Sequence, residues 1–321
     1  MRRIALSVLL LVSLSAFDLQ GHRGARGLAP ENTLPAFAKA LELGVSTLEL
    51  DTVVTRDGIV VITHDPVLNA NIARGPDGNW LDAPGPVIHA VTLEELRRYD
   101  VGRLKPGSRY AQGFPDQVPV DGTRIAPLAE LFDLVKRAGN ATVRFNIETK
   151  LSPLKPEETL APEPFARAVI AEIRKAGVTG RATLQSFDWR TLQVAQSEAP
   201  EIATVYLSAQ QTWLDNIAVG KPGPSPWTAG FDIDDHGGSV PRLVKAAGGR
   251  IWSPFFGDLN AANHAEARAL GLSIVPWTVN REEDMARVIA LGVDGLITDR
   301  PDIARRVMAA QGLALPAPAK P

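Results

Sequence analysis

The sequence predicts a closed α/β barrel of the TIM type, (β/α)8, and three observations carry that expectation. Short apolar, β-rich runs alternate with helical segments at intervals of about 30 residues. About eight such units fill nearly 300 of the 321 residues. Several helical segments stop on a glycine, at Gly44, Gly139, Gly177, Gly271 and Gly292. Repeated strand–helix units call for parallel strands with right-handed crossovers. A doubly wound open sheet is the competing architecture, but neither a GxGxxG nor a P-loop follows the first strand.

In chain order, Met1-Arg2-Arg3 is a basic start, and Ile4 to Phe17 is apolar or small and uncharged. This is the pattern of a secretory signal peptide over residues 1–16, too short for the roughly 20 residues that span a bilayer. Ser13-Leu14-Ser15 supplies a small-x-small site and Ala16 a second one, so cleavage is expected around Ser15 or Ala16. A buried first strand over 9–19 is the alternative. Export implies a periplasmic protein, soluble once cleaved, without a stable membrane anchor.

The barrel is expected over 17–312. Its strands are predicted at 17–21, 47–54, 59–63, 143–148, 182–186, 203–207, 250–253, 273–278 and 295–298. Helices are predicted at 33–43, 93–99, 128–138, 163–176, 190–198, 241–247, 261–270 and 282–291. Asp57-Gly58 between Val/Ile/Thr runs signals a two-residue β-hairpin beside the second strand. That register sets His64 directly opposite Asp51. Residues 100–124 are rich in Gly, Pro and charge and read as an inserted loop near the barrel mouth. Residues 313–321, Pro/Ala-rich, read as a disordered tail.

Composition narrows the function. No cysteine means no disulfide, no thiolate metal site and no thiol nucleophile. A net charge of −2, without a Lys/Arg block, argues against nucleic-acid binding. An anionic small molecule must therefore be attracted locally, by a few cations or a bound metal.

Polar residues gather at the ends of the predicted strands, where barrel chemistry sits. His22 and Arg23 follow the first strand. Glu49 and Asp51 are two apart on the second and share one face. Two carboxylates so placed repel unless a cation joins them, and oxygen donors suit Ca2+ or Mg2+. Glu148 and Lys150 share a face at the end of another strand, adding a third carboxylate and a cation.

The order His22-Arg23-Gly24, Glu31-Asn32-Thr33, Glu49-x-Asp51, Asp57-Gly58, His64-Asp65 and Glu148-x-Lys150 resembles the glycerophosphodiester phosphodiesterase family. So do Gln185-Ser186-Phe187, Pro276-Trp277-Thr278-Val279-Asn280, Asp294-Gly295 and Thr298-Asp299-Arg300-Pro301. The resemblance runs from about residue 18 to 305. It implies a TIM-type barrel that hydrolyses glycerophosphodiesters to glycerol 3-phosphate and an alcohol. It further implies Glu49, Asp51 and Glu148 as ligands of a divalent ion and His22 and His64 as the acid–base pair. Arg23 and Lys150 would contact phosphate, and Trp277 would wall the glycerol side. The nucleophile is water or the substrate's own 2-hydroxyl. Residues 103–121 resemble the insertion of exported bacterial members, with an influence on the leaving alcohol. A phospholipase acting on lipid diesters and a non-enzymatic exported phosphate- or sugar-binding protein are the alternatives.

Overall fold

The computed structural model describes residues 16–321, so all of the expected leader except Ala16 lies outside the described residues. Nine strands form one sheet: β1 (Asp18–Gly21), β2 (Thr47–Val54), β3 (Val60–Ile62), β4 (Arg144–Thr149), β5 (Ala182–Ser186), β6 (Ala203–Ser208), β7 (Ile251–Pro254), β8 (Ser273–Ile274) and β9 (Gly295–Thr298). Eight run parallel in the order β8-β7-β6-β5-β4-β2-β1-β9, and β3 pairs antiparallel with the outer end of β2. Bonds from Asp294 N–H to Ile274 O and from Ile297 N–H to Pro276 O, both 2.9 Å, draw the two ends of the sheet together as a barrel.

Around it run α1 (Leu34–Leu43), α2 (Leu93–Leu96), α3 (Arg109–Gln112), α4 (Leu128–Arg137), α5 (Pro162–Lys175), α6 (Trp189–Glu198), α7 (Val240–Ala246), α8 (Ala261–Ala269), α9 (Glu282–Leu291) and α10 (Pro301–Ala310). The local chemistry of α1 shows why these segments are helical. Thr33 caps it by accepting the Ala36 N–H, Pro35 sits in its first turn, and Gly44 ends it at φ +84°. Ala36, Phe37, Ala40 and Leu41 form its buried stripe, and the last three pack with Leu48 and Leu50 of β2 in one core. The sequence reading omitted α10, although Pro301 opens it and Ala304, Val307 and Met308 form its apolar stripe.

The lumen is polar. Asn146 of β4 donates to Gln20 of β1 and to Gln185 of β5, both at 2.9 Å. Gln185 donates to Glu49 Oε1 at 2.6 Å, and Gln20 donates to Asp18 Oδ2 at 2.9 Å. Gln20–Asn146 and Gln185–Glu49 each join strands that are not neighbours, so the bonds cross the barrel. An amide column thus links the lower rim to the carboxylates at the upper one.

The hairpin corrects the expected register. Thr52 pairs with Ile62, Val53 with Val61 and Val54 with Val60. Thr55 and Ile59 close a three-residue loop, Arg56-Asp57-Gly58, with Gly58 at φ +79°. Asp57 accepts the Thr55 hydroxyl at 2.6 Å and the Leu93 N–H at 3.1 Å, and only the glycine takes the left-handed position. Thr63, not His64, therefore bonds opposite Asp51, through its N–H at 3.0 Å.

Residues 100–124 belong to the longer stretch between β3 and α4. The chain between β3 and α4 builds its own small core, in which Leu68, Ala73, Ile88, Leu96, Val101 and Ile125 pack on Val53 and Val61. Within it, Ser108 caps the short helix α3, which the sequence reading had as loop. Residues 313–321 form no helix or strand, yet Ala319 N–H donates to Leu41 O at 2.8 Å and Arg305 reaches Pro316 O at 2.7 Å. Leu313 and Ala319 also pack against the main core. Among the described residues, no helix is long and apolar enough to cross a membrane.

Candidate active site

The chain leaves β1 through a tight turn. Arg23 has φ +49° and Gly24 φ +85°, while the His22 N–H bonds to Thr298 O at 2.8 Å. A non-glycine residue held in the left-handed region marks a strained position, of the kind found at functional sites. A Cβ on Gly24 would lie 2.6 Å from the Ala36 backbone. Gly24→Ala should therefore destabilise the protein by more than the roughly 1–2 kcal/mol that a left-handed alanine costs, read by urea unfolding.

Glu49, Asp51 and Glu148 each place a carboxylate oxygen within 4.8 Å of the others, and all three are buried. Glu49 accepts the Arg23 N–H at 2.9 Å through Oε2, its other oxygen being held by Gln185. Asp51 accepts Asn32 Nδ2 at 2.8 Å. Glu148 lies 2.8 Å from Lys150 Nζ. Burial, then the neighbouring Asp51 charge, lifts Glu49 well above the usual carboxylate range. Burial lifts Glu148 to about 7, against the pull of Lys150. Asp51 falls below its usual value because Arg23, His64 and Lys150 outweigh burial. Burial and the neighbouring Asp51 charge thus disfavour the ionised form at two of the three clustered carboxylates. Hard oxygen donors in this state fit a divalent cation.

Each imidazole is pinned by a carboxylate. His22 Nδ1 lies 2.6 Å from Asp299 Oδ1, and His64 Nδ1 lies 2.7 Å from Asp65 Oδ1. Both carboxylates have lowered pKa values and can only accept, so Nδ1 carries the proton and Nε2 keeps its lone pair. The His22 Nε2 stands 3.9 Å from Glu49. Asp299 is itself clamped by Arg26 through two bonds of 2.8 and 2.9 Å and by Asn280 at 2.7 Å. Burial, then Arg26, pushes His22 down to about 4 despite Asp299. Burial, then Arg23 and Lys150, lowers His64. Asp299→Asn should lower kcat by on the order of 10–100-fold, because the amide no longer fixes the ring's tautomer and angle, and should lower the melting temperature as well, because buried Arg26 loses its charged partner.

The structure gathers all eight residues singled out in the sequence, His22, Arg23, Glu49, Asp51, His64, Glu148, Lys150 and Trp277, around one cavity of about 490 Å³. Arg23 is less free than expected, since its Nη1 donates to Glu31 at 2.6 Å. Lys150 Nζ lies 5.6 Å from the Phe187 ring. Trp277 donates to Ser253 O at 3.0 Å and stacks edge-on with Phe187 at 5.2 Å and Trp213 at 6.0 Å. Sequence reasoning gave no role to Asp299, Glu31, Asn32 or Gln185, although each stood inside a quoted motif. Nothing in the local sequence marked Arg26, Trp213 or Tyr110.

The sequence matches the model of the Glycerophosphoryl diester phosphodiesterase family over residues 22–303. The glycerophosphodiester phosphodiesterase of Caldanaerobacter subterraneus subsp. tengcongensis is 29% identical over 88% of this chain and 93% of its own. That of Bacillus subtilis is 26% identical over 89% and 84%. Among solved structures, a Silicibacter pomeroyi protein described as a glycerophosphoryl diester phosphodiesterase superposes with a TM-score of 0.83 at 35% identity, covering 94% of this chain and 95% of that one. An Oleispira antarctica phosphodiesterase, described in complex with the product sn-glycerol-3-phosphate, shares the fold at 20% identity, with a TM-score of 0.64 over 92% and 97%. All eight cavity residues fall inside the family match, and the chain belongs to the glycerophosphoryl diester phosphodiesterase family of phosphodiester-cleaving enzymes.

Proposed function

We propose that the enzyme hydrolyses small glycerophosphodiesters to glycerol 3-phosphate and an alcohol, with His22 and His64 dividing the proton transfers. The observation that carries this reading is the pair of carboxylate-pinned imidazoles lining the same cavity as the acid triad. Glu49, Asp51 and Glu148 would hold a divalent ion, Ca2+ or Mg2+, which when bound offsets negative charge on a non-bridging phosphate oxygen.

Around the phosphate, Arg23 offers a planar fork and Lys150 a point charge. Phe187 and Trp277 close the apolar side, where the glycerol carbons fit. One imidazole takes a proton from the nucleophile, water or the glycerol 2-hydroxyl, as the new P–O bond forms; by the second route water then opens the cyclic phosphate to glycerol 3-phosphate. The other imidazole, first protonated at Nε2 beside the bound phosphate anion, gives that proton to the leaving oxygen as the old bond breaks. The glycerol 3-phosphate bound to the Oleispira antarctica protein supports that half of the substrate.

Release of glycerol 3-phosphate from glycerophosphocholine, compared with intact phosphatidylcholine, tests the reading. The diester should be turned over and the intact lipid left. Preference for the lipid, or retention of the diester without turnover, would overturn it. Export to the periplasm rests on the basic, apolar start of the chain. Protein sequencing of the secreted form should begin near Ala16 or Phe17, ahead of β1; an intact Met1 in the cytoplasmic fraction would refute it.

A further inference from the structure

We propose that Tyr110, in the segment inserted between β3 and α4, is a positioning residue for this reaction: its hydroxyl fixes Glu31, and Glu31 fixes the guanidinium of Arg23. The inference rests on the reading of Arg23 as a phosphate contact.

Arg23 is 7% exposed, and its backbone is held in the left-handed region. Its Nε lies 3.1 Å from Asp51 Oδ2 but is not aligned to donate. Among the described residues it is the one buried side-chain nitrogen or oxygen without a hydrogen bond. The guanidinium is therefore placed largely by the 2.6 Å bond from Nη1 to Glu31 Oε1. Glu31 is buried too, and its second oxygen, Oε2, accepts the Tyr110 hydroxyl. Burial and the Glu31 charge hold the Tyr110 hydroxyl protonated, so it can go on donating.

The bond spans 79 residues of sequence and joins the insertion to the turn after β1. The same segment secures Arg26. Phe114 lies 4.6 Å below its guanidinium, and Gln117 donates to its carbonyl at 2.7 Å. Tyr110 and Phe114 pack ring against ring at 5.4 Å. Arg26 is also the next cation in the field of Glu31. Without the Tyr110 hydroxyl, Glu31 Oε2 loses its donor and the carboxylate is free to turn toward Arg26. Oε1 then draws away from Arg23, and the fork loses its aim at the phosphate.

The test compares Tyr110→Phe, Arg23→Ala and the double variant in the full chain, with Glu31→Gln as a second break in the same relay. The readouts are kcat and KM for glycerophosphocholine, the inhibition constant of glycerol 3-phosphate, and the melting temperature. Tyr110→Phe should raise KM and the inhibition constant about tenfold with little change in kcat or melting temperature. Glu31→Gln should move the same two constants. In the Arg23→Ala background, Tyr110→Phe should add nothing, since its effect passes through a side chain already removed. Wild-type constants in Tyr110→Phe would overturn the proposal. So would an equal further loss in the Arg23→Ala background, or a loss that tracks the melting temperature. If Arg23→Ala itself leaves both constants unchanged, the phosphate-contact reading fails first and the relay fails with it.

Discussion

Replacing His22 or His64 by alanine lowers kcat by on the order of 10²–10⁴-fold, with the fold intact. The expectation follows from how each ring is held. Nδ1 is committed to a carboxylate in both cases, which leaves Nε2 as the nitrogen able to move a proton. Neither ring is a structural keystone. Both rings line the open cavity, and the His64 side chain is 30% exposed, so truncation widens an existing space more than it opens a new one in the core. KM should change less than kcat, because proton transfer strengthens only as bonds form and break. The double variant should be scarcely worse than either single one, since the two act as a unit. Circular dichroism and melting temperature provide the control. Near-normal turnover in either single variant would end the acid–base assignment.

Chelation should abolish activity, and Ca2+ or Mg2+ should restore it. The physical argument is the charge shortage at the triad, where Glu49 and Glu148 are lifted by burial and by Asp51. An arriving cation must displace protons from such carboxylates, so its affinity depends on pH. The direction is fixed by the raised values. Below pH 7 Glu148 is mostly protonated and competes with the ion, and above pH 7 it is mostly ionised and does not. Apparent affinity should climb with pH through about 7, by up to tenfold per unit for each proton displaced. A melting-temperature titration reads the same equilibrium without any turnover, because an ion that binds only the folded state raises the melting temperature. Asp51→Asn should remove that rise and the activity together. If neither chelation nor added ion moves activity or melting, the triad does not hold a metal.

Much of this was legible because a barrel strand separates its faces residue by residue. In β2, Leu48 and Leu50 pack outward in the core, while Glu49 and Asp51 point to the site. The hairpin register was not legible, since Asp-Gly serves two- and three-residue loops alike and the choice rests on bonds that Asp57 accepts from the Thr55 hydroxyl and the Leu93 N–H. The closed barrel was legible, but the eighth strand is shorter than the 273–278 read from sequence: β8 keeps two residues, and Pro276 beyond it meets β9 through its carbonyl alone. The carboxylate behind His22 lies 277 residues away, beyond the reach of any local spacing argument. Tyr110 sits in a stretch without periodicity and shows its place only once the chain has folded back on Glu31.

The amide column in the lumen has a consequence for anyone engineering this barrel. Filling the interior with leucine, a usual route to heat resistance in other scaffolds, would strip Glu49 of the donor that orients it. Asn146→Leu alone would leave Gln20 Oε1 and Gln185 Oε1 facing hydrocarbon, and the disturbance would surface at the catalytic rim. Thermal hardening of this enzyme is therefore better sought on the helical exterior, where the lattice of amides is not touched.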